Sequence, residues 1–354
     1  MSFFKKHKVW GSVIGIIVVL VVGFSVFLTV KAVVVSNTDC PTERHYVEFM
    51  TGVVEPMMSY FIGPGDIARM KEDNMNTLQV YFNQYAPALI YQLERPFLLG
   101  IIKEAKKQGM AVHVAGNTGP SGSSEGTTEE KIEIYTRRVL EWAEYCEECG
   151  VEYFSPMAEA DLLLDRDRAI EWHTEILPQI REVFSGKVLA HWSCYSPDDV
   201  EMQQELEKKG EGWDMIDAYC YRVEASGDFD GVMLDFQLPT PLLLKYWFDP
   251  DKPLEEGDPY RPDSLETIAI ATSEIADELG IPIYVGEFHV KHVNLSVGDL
   301  ANSAVFSDEE RAEFFEKFID TFSPYYDGII HCGWDIEGKV AEQAMKKKFG
   351  ELIK

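Results

Sequence analysis

Two carboxylates in apolar settings are the residues of this sequence best placed for chemistry. Glu159 closes the run Tyr153-Phe-Ser-Pro-Met-Ala-Glu159, and Glu287 closes Ile281-Pro-Ile-Tyr-Val-Gly-Glu287. Each run has the length and the aromatic or β-branched content of a short strand, so each acid stands where a strand gives way to a loop. Two carboxyls facing each other across a cleft can cleave a glycosidic bond. One, its pKa raised by apolar surroundings, protonates the leaving oxygen while the other attacks or activates water. Taken singly, either Glu could equally pair with a basic neighbour or cap the next helix. Their matched placement at two strand ends is what points to catalysis. Asp228, Asp230 and Asp235 form a further acidic set, and Gly231-Val-Met-Leu-Asp235 itself reads as a short strand ending in a carboxylate. Asp235 therefore replaces Glu159 or Glu287 if the strand register differs. His113, His191, His289, His292 and His331 are too dispersed for a metal motif, and a metal-dependent hydrolase would need several of them to converge with an Asp. No metal or cofactor is expected. No Gly-x-Ser-x-Gly elbow or Walker loop occurs, which argues against serine-hydrolase and nucleotide chemistry.

Elements able to position the two acids can be counted along the chain. Strand candidates fall at 46–54, 77–82, 111–115, 153–156, 188–192, 215–221, 283–287 and 328–334, and helical segments at 96–108, 129–149, 166–184, 262–279 and 308–322. Alternation of strand and helix argues for a parallel sheet with right-handed crossovers. Eight units predict a single α/β (β/α)8 TIM barrel, with an open doubly wound sheet as the alternative. Barrel chemistry sits at the C-terminal ends of the strands, where Glu159 and Glu287 would end the fourth and seventh. Trp192, Tyr195, Tyr219, Tyr221 and Trp334 are the aromatic residues expected at the mouth to stack on sugar rings, and Asn117 opens a Gly/Ser/Thr-rich loop there. The long stretch 222–263 is read as a lid, a subsite wall or a structural flap.

These runs resemble the clan A glycoside hydrolases, including family-5 cellulases, mannanases and galactanases. Pro282-Ile-Tyr-Val-Gly-Glu287-Phe is similar to the clan's seventh-strand signature, whose Glu is the nucleophile, and Met157-Ala-Glu159 stands where the clan has its Asn-Glu pair, whose Glu is the acid/base. Tyr219-Cys-Tyr221 is similar to the element that orients the nucleophile, and Trp334 to the sugar-stacking Trp of the last strand. The resemblance implies a retaining glycoside hydrolase acting on an oligo- or polysaccharide. Its carboxyls would lie about 5–5.5 Å apart, with Tyr221 donating to Glu287. Two departures stand out: Ala158 replaces the Asn that would bond the sugar 2-hydroxyl, and Gln79 occupies the region of the clan's second-strand Arg. A non-catalytic carbohydrate-binding or envelope-assembly protein on the same scaffold is the alternative.

The rest of the chain says where such a domain would work. Residues 9–30 carry no charge and follow Lys5, Lys6, His7 and Lys8. That is enough to span a bilayer, and the basic flank keeps the N-terminus cytoplasmic. The organisation expected is a basic flank at 1–8, a single-pass transmembrane anchor at 9–35 with a cleaved signal peptide as the alternative, a stalk at 36–44 and an extracellular barrel over 45–354. Sixty acidic against 32 basic residues, a net charge of −28, would repel phosphate backbones and exclude nucleic acid as a partner. Cys146 and Cys149 form a lone C-x-x-C at a helix end, read as a local disulfide or two free thiols away from the mouth. A reporter that works only outside the cytoplasm, fused after Lys354, should be active; activity of a cytoplasm-only reporter there would reverse the topology.

Overall fold

The structure, a computed structural model, describes residues 40–54, 62–117, 128–193, 197–210, 215–237, 265–289, 307–332 and 339–353. The expected anchor at 9–35 lies outside the described residues. Among the described residues no helix is long and apolar enough to cross a membrane.

Among the described residues nine strand segments, all parallel, form one sheet: β1 (Met50–Val54), β2 (Thr77–Phe82), β3 (Ala111–Gly116), β4 (Tyr153–Ser155), β5 (Lys187–Val188), β6 (Ala190–Trp192), β7 (Val232–Gln237), β8 (Ile283–His289) and β9 (Gly328–Cys332). The hydrogen-bonded order is β5-β4-β3-β2-β1-β9-β8-β7-β6. Only Leu189 separates β5 from β6. Its amide donates to Phe154 at 2.9 Å, and that of Ala190 donates to Gly231 at 3.0 Å, so one interrupted strand pairs on both sides. The two outer members of the order are thus a single piece of chain. The sheet closes as a barrel with eight positions.

Helices α1 (Pro64–Glu72), α2 (Ala88–Lys107), α3 (Thr128–Glu148), α4 (Arg166–Val183), α5 (Pro197–Lys209), α6 (Met215–Glu224), α7 (Leu265–Leu279), α8 (Asp308–Phe322) and α9 (Val340–Leu352) are the α-helices of the described residues. Their placement follows from local chemistry. Asp165 caps α4 by accepting from the Arg168 amide at 2.9 Å, and Ala169, Trp172, His173, Ile176, Leu177 and Ile180 recur on its buried face. Ser307 and Glu310 close a reciprocal capping box on α8, whose Phe318 stacks on Phe288 of β8 at 4.4 Å.

Alternation along the strands sorts the core into two layers. Leu78, Val80 and Phe82 of β2, Val112 and Val114 of β3, and Val232, Leu234 and Phe236 of β7 face the helices. Met50, Val54, Tyr81, Ala111, Ala115, Tyr153, Leu189, Met233, Tyr284 and Ile330 fill the barrel interior.

Two expectations change. Residues 215–221 form no strand: Ala218, Tyr219, Arg222 and Val223 are buried at helical spacing in α6, and the sixth barrel position belongs to β7, which carries Asp235. Aromatic content made the helix look like a strand. The C-x-x-C does not pair internally either. Cys149 is bridged to Cys40, at 4.9 Å between Cα atoms, and Cys146 is a buried free thiol. Both sit where α3 leads into β4, on the barrel floor and away from the mouth, as expected. Residues 46–49, read as the start of the first strand, belong instead to a segment crossing that floor.

His173 tests the outer layer. Packed against Trp172, Trp192 and Phe229 with ring centroids 5.4, 4.8 and 5.4 Å away, it is pushed down by burial to about 3. Between pH 6.5 and 3 the unfolded chain therefore binds a proton that the native state refuses. Stability falls as pH drops through that window, by about 1.4 kcal/mol per pH unit for this group. His173→Phe should flatten the acid limb of a urea-denaturation series by about one proton; an unchanged slope would contradict this packing.

Candidate active site

The mouth is assembled by an irregularity in β8. Its register against β7 pairs Leu234 with Val285 and then Asp235 with Glu287, skipping Gly286. A bulge of this kind puts two successive residues on one face and re-aims the second. Tyr284 faces the interior and Val285 the helices. Glu287, which strict alternation from Tyr284 would turn outward, points inward and accepts a hydrogen bond from the Tyr81 hydroxyl of β2. A side chain at position 286 would displace its neighbours: a Cβ there would stand 2.5 Å from Asp235 Oδ1 and 2.6 Å from His191 Nε2.

Behind Glu287 runs a buried polar row. Tyr81 accepts from Gln79 Nε2 at 2.8 Å, Gln79 Oε1 meets His113 Nδ1 at 2.8 Å, and His113 Nε2 meets Ser155 Oγ at 2.8 Å. These are the inward positions of β2, β3 and β4. Burial, and then the charge of Glu287, push the Tyr81 phenol well above its ordinary range, so it stays a proton donor. Burial, and then the neighbouring His191, push His113 well below its usual value, leaving a neutral ring.

A second buried pair lies beside the first. His191 Nε2 of β6 is 2.7 Å from Asp235 Oδ1 of β7, with both side chains fully enclosed. Burial, then the charges of Glu287 and Asp161, push Asp235 well up. Burial lowers His191 to about 4. Both displacements favour a protonated Asp235 donating to an uncharged imidazole, which leaves Glu287 without a second negative charge against it.

Glu159 stands after β4 in a left-handed turn, φ 54° and ψ 41°, with its amide donating to the His191 carbonyl at 3.1 Å. Its turn is pinned from below. Asp161 accepts from Arg222 Nε at 2.9 Å and from its terminal nitrogen at 2.6 Å, and from the Ser193 hydroxyl at 2.7 Å. Glu159 is thus held at the C-terminal end of the barrel by the β6 backbone and by a buried ion pair to α6.

The other expected site residues divide sharply. Trp192 faces the helices and donates to Ser226 Oγ at 2.9 Å. Tyr219 stacks on Phe236 in the outer layer at 5.0 Å and donates to the Asp235 carbonyl at 3.0 Å. Tyr221 lies under the Arg166 guanidinium at 4.7 Å, so the donor to Glu287 is Tyr81. These three corrections have two causes: Trp192 falls on the outward phase of β6, and the two tyrosines lie on a helix. Asn117 sits at the end of β3, its amide donating to the Phe82 carbonyl at 2.9 Å. Tyr195 and Trp334 lie outside the described residues, as does most of 222–263. Asp230 binds the Val188 amide at 2.9 Å on the floor. Among the described residues no group of three or more His, Cys, Asp or Glu could hold a metal ion. Sequence reading passed over Tyr81 and His113 as site residues, although the inward phase of Thr-Leu-Gln-Val-Tyr-Phe contains the signal for Tyr81.

The strand order and its closure define a (β/α)8 TIM barrel, the fold of glycoside hydrolases of known structure. Among solved structures, a GH113 β-1,4-mannanase shares it with a TM-score of 0.56 and 12% identity, over 86% of this chain and 99% of its own. A GH113 β-mannanase from Alicyclobacillus acidocaldarius gives 0.54 and 13% over 86% and 98%, and the endo-β-1,4-mannanase from Thermotoga petrophila 0.55 and 12% over 88% and 77%. No protein-family profile and no curated protein sequence matches the chain.

Gly286→Ala should cost about 1–3 kcal/mol through overpacking against Asp235 and His191. Adding Asp235→Ala, which removes the nearer clashing atom, should recover part of that loss in a denaturant double-mutant cycle; strict additivity would mean the bulge is not packed this way.

Proposed function

We propose that this protein is a retaining glycoside hydrolase with Glu287 as nucleophile and Glu159 as acid/base, acting on an extracellular or envelope polysaccharide. The observation that carries the reading is the bulge at Gly286, which costs β8 its regular pairing and delivers one carboxylate inward to a phenol donor. Such irregularities concentrate at functional sites. In the first step Glu287 attacks the anomeric carbon while Glu159 protonates the departing oxygen. In the second, water drawn on by Glu159 releases the sugar from Glu287. Tyr81 aligns the attacking carboxylate, and Asp235, holding its proton, adds no repulsion. Mannan, xylan and cellulose are the first polymers to try, since enzymes acting on such chains share the fold. The Cys40–Cys149 bridge supports a domain outside the reducing cytosol, where disulfides persist.

Ala158 favours the second reading, a barrel that binds carbohydrate without turning it over. It is buried in the barrel interior, and an alanine supplies no donor to a sugar hydroxyl.

Reducing-end release from a polysaccharide panel, with the first-formed anomer followed by proton NMR, tests the assignment. The product should retain configuration. Glu287→Gln and Glu159→Gln should each lower kcat at least about a thousandfold, and Tyr81→Phe by roughly ten- to a hundredfold with little change in KM. Undiminished cleavage by Glu287→Gln would end the mechanism; binding without cleavage by the unaltered protein would establish the second reading.

A further inference from the structure

Glu159 and Glu287 stand on strands that are not neighbours. Between β4, which leads to Glu159, and β8, which carries Glu287, lie the interrupted strand β5/β6 and then β7. His191 of β6 reaches both ways across that gap. Its carbonyl receives the Glu159 amide at 3.1 Å, which fixes the backbone of the left-handed turn to β6. Ser193 fixes the same turn a little further on, its amide and hydroxyl donating to the two Asp161 oxygens at 3.1 and 2.7 Å. In the other direction the His191 ring places Nε2 2.7 Å from Asp235 Oδ1 on β7. Gly286 closes over that bond: both of its atoms stand within 2.6 Å of the point where a side chain at 286 would begin. The bond thus fills the inward slot that regular alternation in β8 would give to residue 286. The strand slips past it, and the slip delivers Glu287 to the inner face.

The bond is neutral. Both side chains are fully enclosed, and His191 Nδ1 and Asp235 Oδ2 meet no hydrogen-bonding partner. A buried carboxylate and imidazolium would need partners at those atoms. The titratable groups facing the pair are Glu287 on β8, Asp161 after β4, His113 on β3, Tyr81 on β2 and His173 on α4. The two carboxylates among them oppose a negative Asp235, so the proton sits on Asp235 and is offered to Nε2.

We infer that His191 and Asp235 are positioning residues for the proposed reaction: their one buried hydrogen bond braces β6 against the bulge of β8 and so sets the spacing between Glu159 and Glu287. Being enclosed, they act through the two acids and not on the sugar. The inference rests on Glu159 and Glu287 being the acid/base and the nucleophile. Spacing matters because direct attack requires carboxyls about 5–5.5 Å apart, and a misplacement of about 1 Å can cost roughly a hundredfold in rate.

The test compares Asp235→Ala, which removes the bond, with Asp235→Asn, whose amide keeps a donor for Nε2 and has no proton to lose. On a polysaccharide that the unaltered chain cleaves, the Ala variant should lower kcat about a hundredfold with KM changed less than about twofold. The Asn variant should restore kcat to within about fivefold of the original, and His191→Gln should likewise exceed His191→Leu by about tenfold. A loss with Asn as deep as with Ala, or a change confined to KM, would overturn the inference. If Asp235→Ala does not fold, the Asn variant decides alone, and a hundredfold loss in it counts against the brace. Amide hydrogen exchange on the full chain gives a readout without turnover. Asp235→Ala should speed exchange about tenfold in both 157–163 and 284–289, and Asp235→Asn should leave both segments near their original rates. Faster exchange in only one segment, or in neither, would refute the brace. If the unaltered chain cleaves no polysaccharide, the assignment of the two acids fails, and exchange still decides whether this bond couples them.

Discussion

A β-strand can send only alternate side chains to one face, and the mouth of this barrel depends on breaking that parity once. Without the slip at Gly286, an inward Tyr284 would leave Glu287 among Phe314, Phe315 and Phe318 of α8, where a carboxylate has no partner. With it, Phe288 takes the place against the helix, stacked on Phe318, and Glu287 takes the place beside Tyr81. The same bulge brings the β8 backbone so close to Asp235 and His191 that any side chain beyond glycine would push them aside. One missing side chain thus lets the catalytic candidate, its phenol donor and the His191–Asp235 pair occupy one small volume.

That volume is unusually polar for a barrel interior. Gln79, His113, Ser155, His191 and Asp235 are all buried, and unpaired they would each cost about 1–3 kcal/mol. Their mutual bonds remove most of that penalty, and the neutral imidazoles avoid the larger cost of an enclosed charge. Beneath them Tyr153, Tyr284, Met50 and Met233 make an apolar plug. The domain therefore spends its stability asymmetrically: floor and outer layer are apolar or ion-paired, while the upper interior is polar and hydrogen-bonded across strands.

Much of the architecture was legible because strand and helix periods differ so clearly. Thr77–Phe82 alternates without fault, and Asp308–Phe322 carries its capping box and phenylalanine stripe in plain sight. The sixth barrel strand was misread because Met215–Glu224 and Val232–Gln237 are both short and apolar, and the first holds more aromatic residues. The competing reading of Gly231 to Asp235 as a strand was the one that the fold adopts. That Glu159 follows β4 and Glu287 lies near the end of β8 was legible from the apolar runs before them. Tyr81 was not, because it lies within a strand and its value comes from a contact across the barrel that no local pattern encodes. The bulge is equally invisible: Val-Gly-Glu has no period that marks a skipped residue. The Cys40–Cys149 pairing spans 109 positions and could not be told from other pairings.

The row from Ser155 to Glu287 has a direction. Tyr81 gives its only proton to Glu287, so the Gln79 amide must give one to Tyr81, and its carbonyl must then receive the Nδ1 proton of His113. Nε2 of that ring is left bare for the Ser155 hydroxyl. One imidazole tautomer and one amide orientation are thereby imposed by an acid on the far side of the barrel. Four dipoles aligned head to tail strengthen one another. The carboxylate thus feels the positive end of an array that begins three strands away, and a serine on β4 helps set the field around Glu287.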